Sequence, residues 1–310
     1  MRYFDCHADT LTGMKKANET LRHNKGNLDL ERVHKFADRY GQIFAIWEDA
    51  QKQHAGTTEE EFRRTYDKAR NSLREQEDRI TLCTSSAQMN AAFSAGKDAA
   101  FLSIEDLSVM GKEVENISEL GFRFAMLTWN HANQYAVGSV CNQRGRLTEY
   151  GKETTSALLG KGIILDISHL SDAGIEDMLM LTDKPVMASH SNVRDVCDVP
   201  RNLEKEQIQE LIRRKGLIGM NFFRPLVGQG EQVALDMIIR HMDAVLSIGG
   251  EDILALGSDM DGCDDMFPEG YHGIESMPVL IEAMGKAGFG QPIIDKVVFE
   301  NAYSFIERNL

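Results

Sequence analysis

The 310-residue sequence predicts an α/β fold, a (β/α)8 barrel of the TIM type, on three observations. Eight short apolar runs recur along the chain, helical patterns separate most of them, and no glycine-rich dinucleotide fingerprint follows the first run. Nearly continuous apolar runs are what parallel strands covered by helices require. Eight such units in about 300 residues favour a closed barrel over an open doubly wound sheet.

In chain order the predicted strands are YFDCH (3–7), IFAIW (43–47), AAFLSIE (99–105), FRFAMLT (122–128), IILDIS (163–168), PVMAS (185–189), LIGMNFF (217–223) and ILALGSD (253–259). ITLCT (80–84) is an additional candidate. Residues 57–78 read as a charged surface helix with one apolar stripe, Phe62, Tyr66, Ala69 and Leu73. Residues 202–216 predict a helix capped by Asn202, with Ile208, Leu211 and Ile212 on its apolar face and Gly216 as its stop. Residues 233–250 behave similarly and end in a glycine pair. With no linker, repeat or low-complexity tract, residues 1–310 are expected to form a single domain.

An apolar fraction of 42% with 26% charged residues is ordinary for a globular protein. The formal charge of −14 argues against nucleic acid or an anionic membrane as partner, because both need clustered Lys and Arg. Five well-separated cysteines with no CxxC pair suit reduced thiols in a cytoplasm better than a disulfide framework. The longest uncharged apolar run, 216–223, is too short to span a bilayer. A soluble, cytoplasmic protein is expected, with a homodimer left open as its assembly.

Barrel enzymes place their chemistry at the C-terminal ends of the strands. That rim collects His7 and Asp9 from FDCHADT, Glu105 from SIED, His169 from DISH, His190 from ASHS and Asp259 from GSDMDG. A single histidine at a strand end is more often a loop or core residue than a ligand. The coincidence of three histidines and three carboxylates at one rim carries the metal reading. Positions i and i+2 of a strand project together, so His7 and Asp9 can grip one ion. Cys6 is then expected to point toward the helical layer, and Asp5 to accept a hydrogen bond or pack behind the ligands. Mixed nitrogen and oxygen donors favour zinc or a similar divalent ion. The two oxygens of Glu105 can bridge two cations about 3.5 Å apart, and five ligand side chains exceed what one open four-coordinate site needs. His23, His34, His54 and His241 have no such company and read as structural or solvent-facing.

FDCHADT, FLSIED, LDISH, MASHSNVRDVCDVPRN and LGSDMDG, in that order, resemble the membrane (renal) dipeptidase family of zinc peptidases, family M19 of the amidohydrolase superfamily. The resemblance covers essentially the whole chain. It implies two zinc ions in a (β/α)8 barrel: His7 and Asp9 on one, His169 and His190 on the other, with Glu105 bridging. Asp259 would be the acid/base, also touching substrate, beside a metal-bridging hydroxide. Arg201, eleven residues after His190, matches the family arginine that binds the substrate's C-terminal carboxylate. A guanidinium suits that contact, whereas at a helix N-terminus it would be mildly unfavourable. The family's substrate histidine after strand 4 is displaced here to His131, behind Trp129, and Phe223 stands where some members have tyrosine.

The implied activity is hydrolysis of dipeptides with a free C-terminal carboxylate, including L-Xaa-D-Xaa dipeptides. With no secretory leader or lipid-anchor signal in the sequence, a soluble bacterial version is expected. Two other readings remain: a binuclear amidohydrolase acting on a lactone, an N-acyl amino acid or a cyclic amide, and an inactive metal-binding barrel. Retention of Asp259 beside every ligand argues against the last.

Overall fold

The structure, a computed structural model, describes residues 1–14, 19–51 and 58–310, so His54 lies outside the described residues. Nine parallel strands form one sheet: β1 (Arg2–Ala8), β2 (Arg39–Trp47), β3 (Ile80–Leu82), β4 (Asp98–Glu105), β5 (Phe122–Met126), β6 (Ile164–Asp166), β7 (Met187–Ala188), β8 (Leu217–Met220) and β9 (Leu254–Leu256). Pairing of β2 with β4 and of β1 with β9 closes eight of them into the expected barrel. The candidate strand at 80–84 is real but stands outside the closed ring. It pairs with Asp98–Ala100 of β4, below the stretch Leu102–Ile104 that pairs with β5.

Several strands stop short of their predicted ends. Leu127–Thr128, Ile167–Ser168, Asn221–Phe223 and Gly257–Asp259 leave the ladder and become the loops at the C-terminal rim. Side chains pointing into the barrel from every ring strand meet in one apolar floor, including Phe4, Ile43, Phe101, Phe124 and Leu217. The helices α1 (Ser86–Ser94) and α2 (Asn301–Asn309) seal it with Phe93 and Phe305.

The first strand carries an irregularity that decides which residues face inward. Its register against β2 runs Phe4↔Gly41 and Asp5↔Gln42, then jumps to Ala8↔Phe44. Such a bulge re-aims the side chains that follow it. Cys6 keeps the alternation with Phe4 and joins the interior floor, not the helical layer as expected, and the bulge re-aims His7 after it. Asp5 shares a face with Tyr3, whose hydroxyl donates to it at 2.6 Å, and not with His7. Strict alternation, which the sequence invites, fails across those two residues.

Phe62, Tyr66, Ala69 and Leu73 are buried along the helix Thr58–Arg74, as its stripe predicts. The helix predicted from Asn202 begins later, at Lys205–Arg214, because Glu204 takes the cap and its N–H donates to Gln207 Oε1 at 2.9 Å. Asn202 instead donates to the carbonyls of Cys197 and Leu226, both at 2.8 Å. Lys215, not Gly216, takes the left-handed turn that ends the helix. The helix within 233–250 is Asp236–Ser247. Among the described residues no helix is long and apolar enough to cross a membrane.

His241 is fully buried on Asp236–Ser247, where Nδ1 accepts from the Val193 N–H at 3.1 Å and Nε2 faces the Val227 carbonyl at 3.0 Å. Only a neutral ring satisfies both, and burial pushes its pKa down to about 4. An unfolded histidine titrates near 6.5, so the unfolded chain binds the extra proton between those values and stability is lost as pH falls through that range. From pH 7 to pH 5 the wild type should lose about 2 kcal/mol more than His241→Gln, measured by urea denaturation at each pH.

Candidate metal centre

The rim loops bring the six residues together through backbone contacts between strand ends. The Asp9 N–H donates to the Met260 carbonyl at 2.8 Å and the Asp259 N–H to the His7 carbonyl at 3.1 Å, zipping the exits of β1 and β9 side by side. His169 and Asp259 both lie in the left-handed region, at φ 66° and 61°. That conformation is uncommon for residues other than glycine and recurs at functional sites.

Glu105, at the tip of β4, lies at the centre. Its Oε2 is 3.2 Å from His7 Nε2, and its Oε1 is 3.0 Å from His169 Nε2 and 3.9 Å from His190 Nε2. His7 Nε2 also lies 3.3 Å from Asp9 Oδ2 and 3.8 Å from Asp259 Oδ1. The nitrogens of His169 and His190 approach to 2.9 Å, and the His7 and His190 rings stack 3.7 Å apart. Two donor groups emerge, His7–Glu105–His190 and His7–Asp9–Asp259, each compact enough for one ion.

The electrostatics match a cation site. Burial pushes Asp9 up to about 6 and Asp259 up to about 7, and in both cases neighbouring carboxylates push further. Burial and the Arg201 guanidinium push His169 down to about 4, and burial drives His190 well below the usual histidine range. Burial alone would lower His7, but Glu105 and Asp9 hold it well above that range. Two neutral imidazoles beside crowded carboxylates are the donor set a divalent cation satisfies, since it cancels the repulsion and takes the lone pairs. His7 Nε2 and Asp9 Oδ1 are buried without a hydrogen-bond partner, as coordinating atoms would be.

A set of supporting residues escaped the sequence. Asn130 Oδ1 lies 2.9 Å from His169 Nδ1, which fixes that nitrogen as the donor and leaves the Nε2 lone pair free. Ser189 Oγ lies 2.7 Å from His190 Nδ1 and 3.5 Å from His7 Nδ1. Asp166 accepts from the N–H groups of Ser168 and Ser189, holding two rim loops to one carboxylate. Asn221 Nδ2 donates to Asp259 Oδ2 at 3.0 Å. Asp166 and Ser189 stand within the quoted motifs and Asn130 stands between Trp129 and His131, but nothing in their spacing marks them as partners of a ligand. Asp5, expected to stand behind the ligands, accepts from the N–H groups of His7 and Ser258. Gly262 is required for closeness: a Cβ there would lie 2.3 Å from Asp9 Oδ2 and 2.5 Å from Asp259 Oδ1.

Arg201 sits beside this group, only 7% exposed. Its Nη1 donates to Ser191 Oγ at 2.8 Å and its Nη2 to the His190 carbonyl at 3.0 Å, while Nε has no partner. The helix begins after Glu204, so Arg201 does not shield a helix N-terminus. Arg194, in contrast, pairs with Asp172 and Glu204. His131 is not brought into the donor group: its ring lies 5.7 Å from Trp129, and its Nδ1 is 3.8 Å from Cys141 Sγ. Trp129 is the nearer neighbour, 6.3 Å from His169 and 5.0 Å from Trp47.

The sequence profile of the membrane dipeptidase family, peptidase family M19, matches residues 1–308. A protein in the pqqA 5′ region of Klebsiella pneumoniae is 27% identical over 236 residues, covering 72% of this chain and 86% of that protein. A Rhodobacter sphaeroides metallopeptidase, liganded with a phosphinate mimic of L-Ala-D-Ala, superposes with a TM-score of 0.85 at 24% identity, covering 100% of this chain and 99% of its own. The probable dipeptidase PvdM of Pseudomonas aeruginosa gives 0.85 at 17% identity over 100% and 96% of the two chains. These structural likenesses confirm the fold.

Removing the partner of a metal-ligating histidine costs roughly 10–100-fold in metal affinity. Asn130→Ala should weaken zinc binding to metal-stripped protein by about that factor, read by competition against a chromogenic chelator, with the folded state retained.

Proposed function

The chain belongs to the membrane dipeptidase family and is a metallodipeptidase, and on that footing we propose that it cleaves dipeptides with a free C-terminal carboxylate, using two zinc ions bridged by Glu105. The observation that carries this is the two-sided contact of Glu105, with one oxygen toward His7 and the other toward His169. His7 and Asp9 would hold one ion, and His169 and His190 the other. Bound there, two cations lower the pKa of a water and polarise a carbonyl oxygen.

The remaining steps belong to the protein. Arg201 is buried and carries an unpartnered Nε, so it offers a desolvated cation to the substrate carboxylate, which orients the peptide across the rim. Asp259 takes a proton from the attacking water as the new C–O bond forms. It returns that proton to the peptide nitrogen as the C–N bond breaks, releasing an amine and a carboxylic acid. An L-Xaa-D-Xaa substrate is in keeping with the ligand of the Rhodobacter sphaeroides metallopeptidase. Five free cysteines, four of them buried, fit a reducing cytoplasm.

Asp259→Asn should lower kcat about 10²–10⁴-fold while elemental analysis still finds two divalent ions per chain. Arg201→Met should raise KM for dipeptides about 10–100-fold with a smaller change in kcat. Initial rates on a panel of L-L, L-D and D-L dipeptides with added zinc check both. An unchanged KM in Arg201→Met removes the carboxylate-binding role.

A further inference from the structure

Asp259 has two oxygens in different surroundings. Oδ1 faces the donor group, 3.8 Å from His7 Nε2, and shares with Asp9 Oδ2 the space that a Cβ at Gly262 would fill. Oδ2 faces away and accepts from Asn221 Nδ2 at 3.0 Å. The Asn221 amide cannot be turned around. Its Oδ1 accepts from the Phe223 N–H at 2.6 Å, and a backbone N–H can only donate. Its second amide hydrogen goes to the His190 carbonyl, which also accepts from Arg201 Nη2. All the polar groups of this buried side chain are engaged in one orientation.

The backbone around Asn221 is held as firmly. Its N–H donates to Asn192 Oδ1 at 3.0 Å, and Asn192 Nδ2 donates back to the Asn221 carbonyl at 2.9 Å. Asn192 and Asn202 both donate to the Leu226 carbonyl, which ties the residue after Arg201 to the same assembly.

We propose that Asn221 is the positioning residue that assigns the two oxygens of Asp259, holding Oδ2 as an acceptor so that Oδ1 alone exchanges the proton of the hydrolytic reaction. An amide N–H aimed at Oδ2 disfavours a proton on that oxygen, since two donors would then face each other. The proton that Asp259 takes from water is therefore kept on the oxygen nearest the reacting atoms, from which it can reach the leaving nitrogen without rotation of the carboxyl. The inference rests on Asp259 being the acid/base.

The test compares Asn221→Asp with wild type, both loaded with zinc. The variant keeps the shape and the acceptor for the Phe223 N–H but loses the donor. The expected result is a fall in kcat of about 10–100-fold with KM and metal content little changed. In an Asp259→Asn background the same substitution should cost nothing further, because its effect passes through Asp259. A kcat within about threefold of wild type, or a loss that adds in full to that of Asp259→Asn, overturns the proposal. Full activity of Asp259→Asn would instead overturn the acid/base reading beneath it. Should Asn221→Asp fail to fold, Asn221→Ser serves: it keeps an oxygen for Phe223 but is too short to reach Asp259, and the same loss of kcat is expected.

Discussion

Three carboxylates and three imidazoles share one buried cup, and their mutual repulsion and desolvation are what the rest of the molecule is arranged to hold. Asp9, Glu105 and Asp259 each lie within 3.8 Å of His7 Nε2, and all are at least nine-tenths buried except Asp259, which stays partly open to the rim. Left alone, such a group would relax by protonation or by moving apart. A divalent cation resolves the conflict by replacing lost hydration with coordination, which makes metal binding and the order of the rim a single event.

A parallel barrel suits this task because the six side chains leave the ends of five different strands, with only His7 and Asp9 sharing β1, and none can drift independently. The apolar floor below, closed by Phe93 and Phe305, keeps the strands in register. The exits above are locked by backbone bonds between β1 and β9 and by carboxylates such as Asp166 that accept from two loops. The left-handed turns at His169 and Asp259 sit where the chain must bend sharply to aim a side chain back over the barrel. The bulge in β1 does the same for His7, turning it inward on a strand whose alternation would otherwise send it outward with Asp5.

Polar side chains behind the donor group then finish the site. Asn130 decides which nitrogen of His169 is free, Ser189 sits under two rings, and Asn221 joins Asp259 to the carbonyl shared with Arg201. Arg201 and Asp259 are thereby fixed to one frame, so a misplaced asparagine would be felt at both.

What the sequence determined by itself was the barrel and the six side chains gathered at its rim. Strand and helix periodicity is local, and His7, Asp9, Glu105, His169, His190 and Asp259 announce themselves because each follows an apolar run at the same end. What only the tertiary structure decided was orientation. Cys6 faces inward with Phe4 and Asp5 outward with Tyr3, and His7 parts from Asp5 because a bulge, which depends on the partner strand β2, interrupts the alternation. The helix after Arg201 starts at Lys205 because Glu204 takes the cap with Gln207, while Asn202 donates to the Leu226 carbonyl, 24 residues away in the chain. His131 stayed outside the donor group and Asn130 came into it, though they are neighbours in sequence. Hydrogen bonds between strand exits are made across the barrel, and no spacing along the chain encodes which donor will meet which acceptor there.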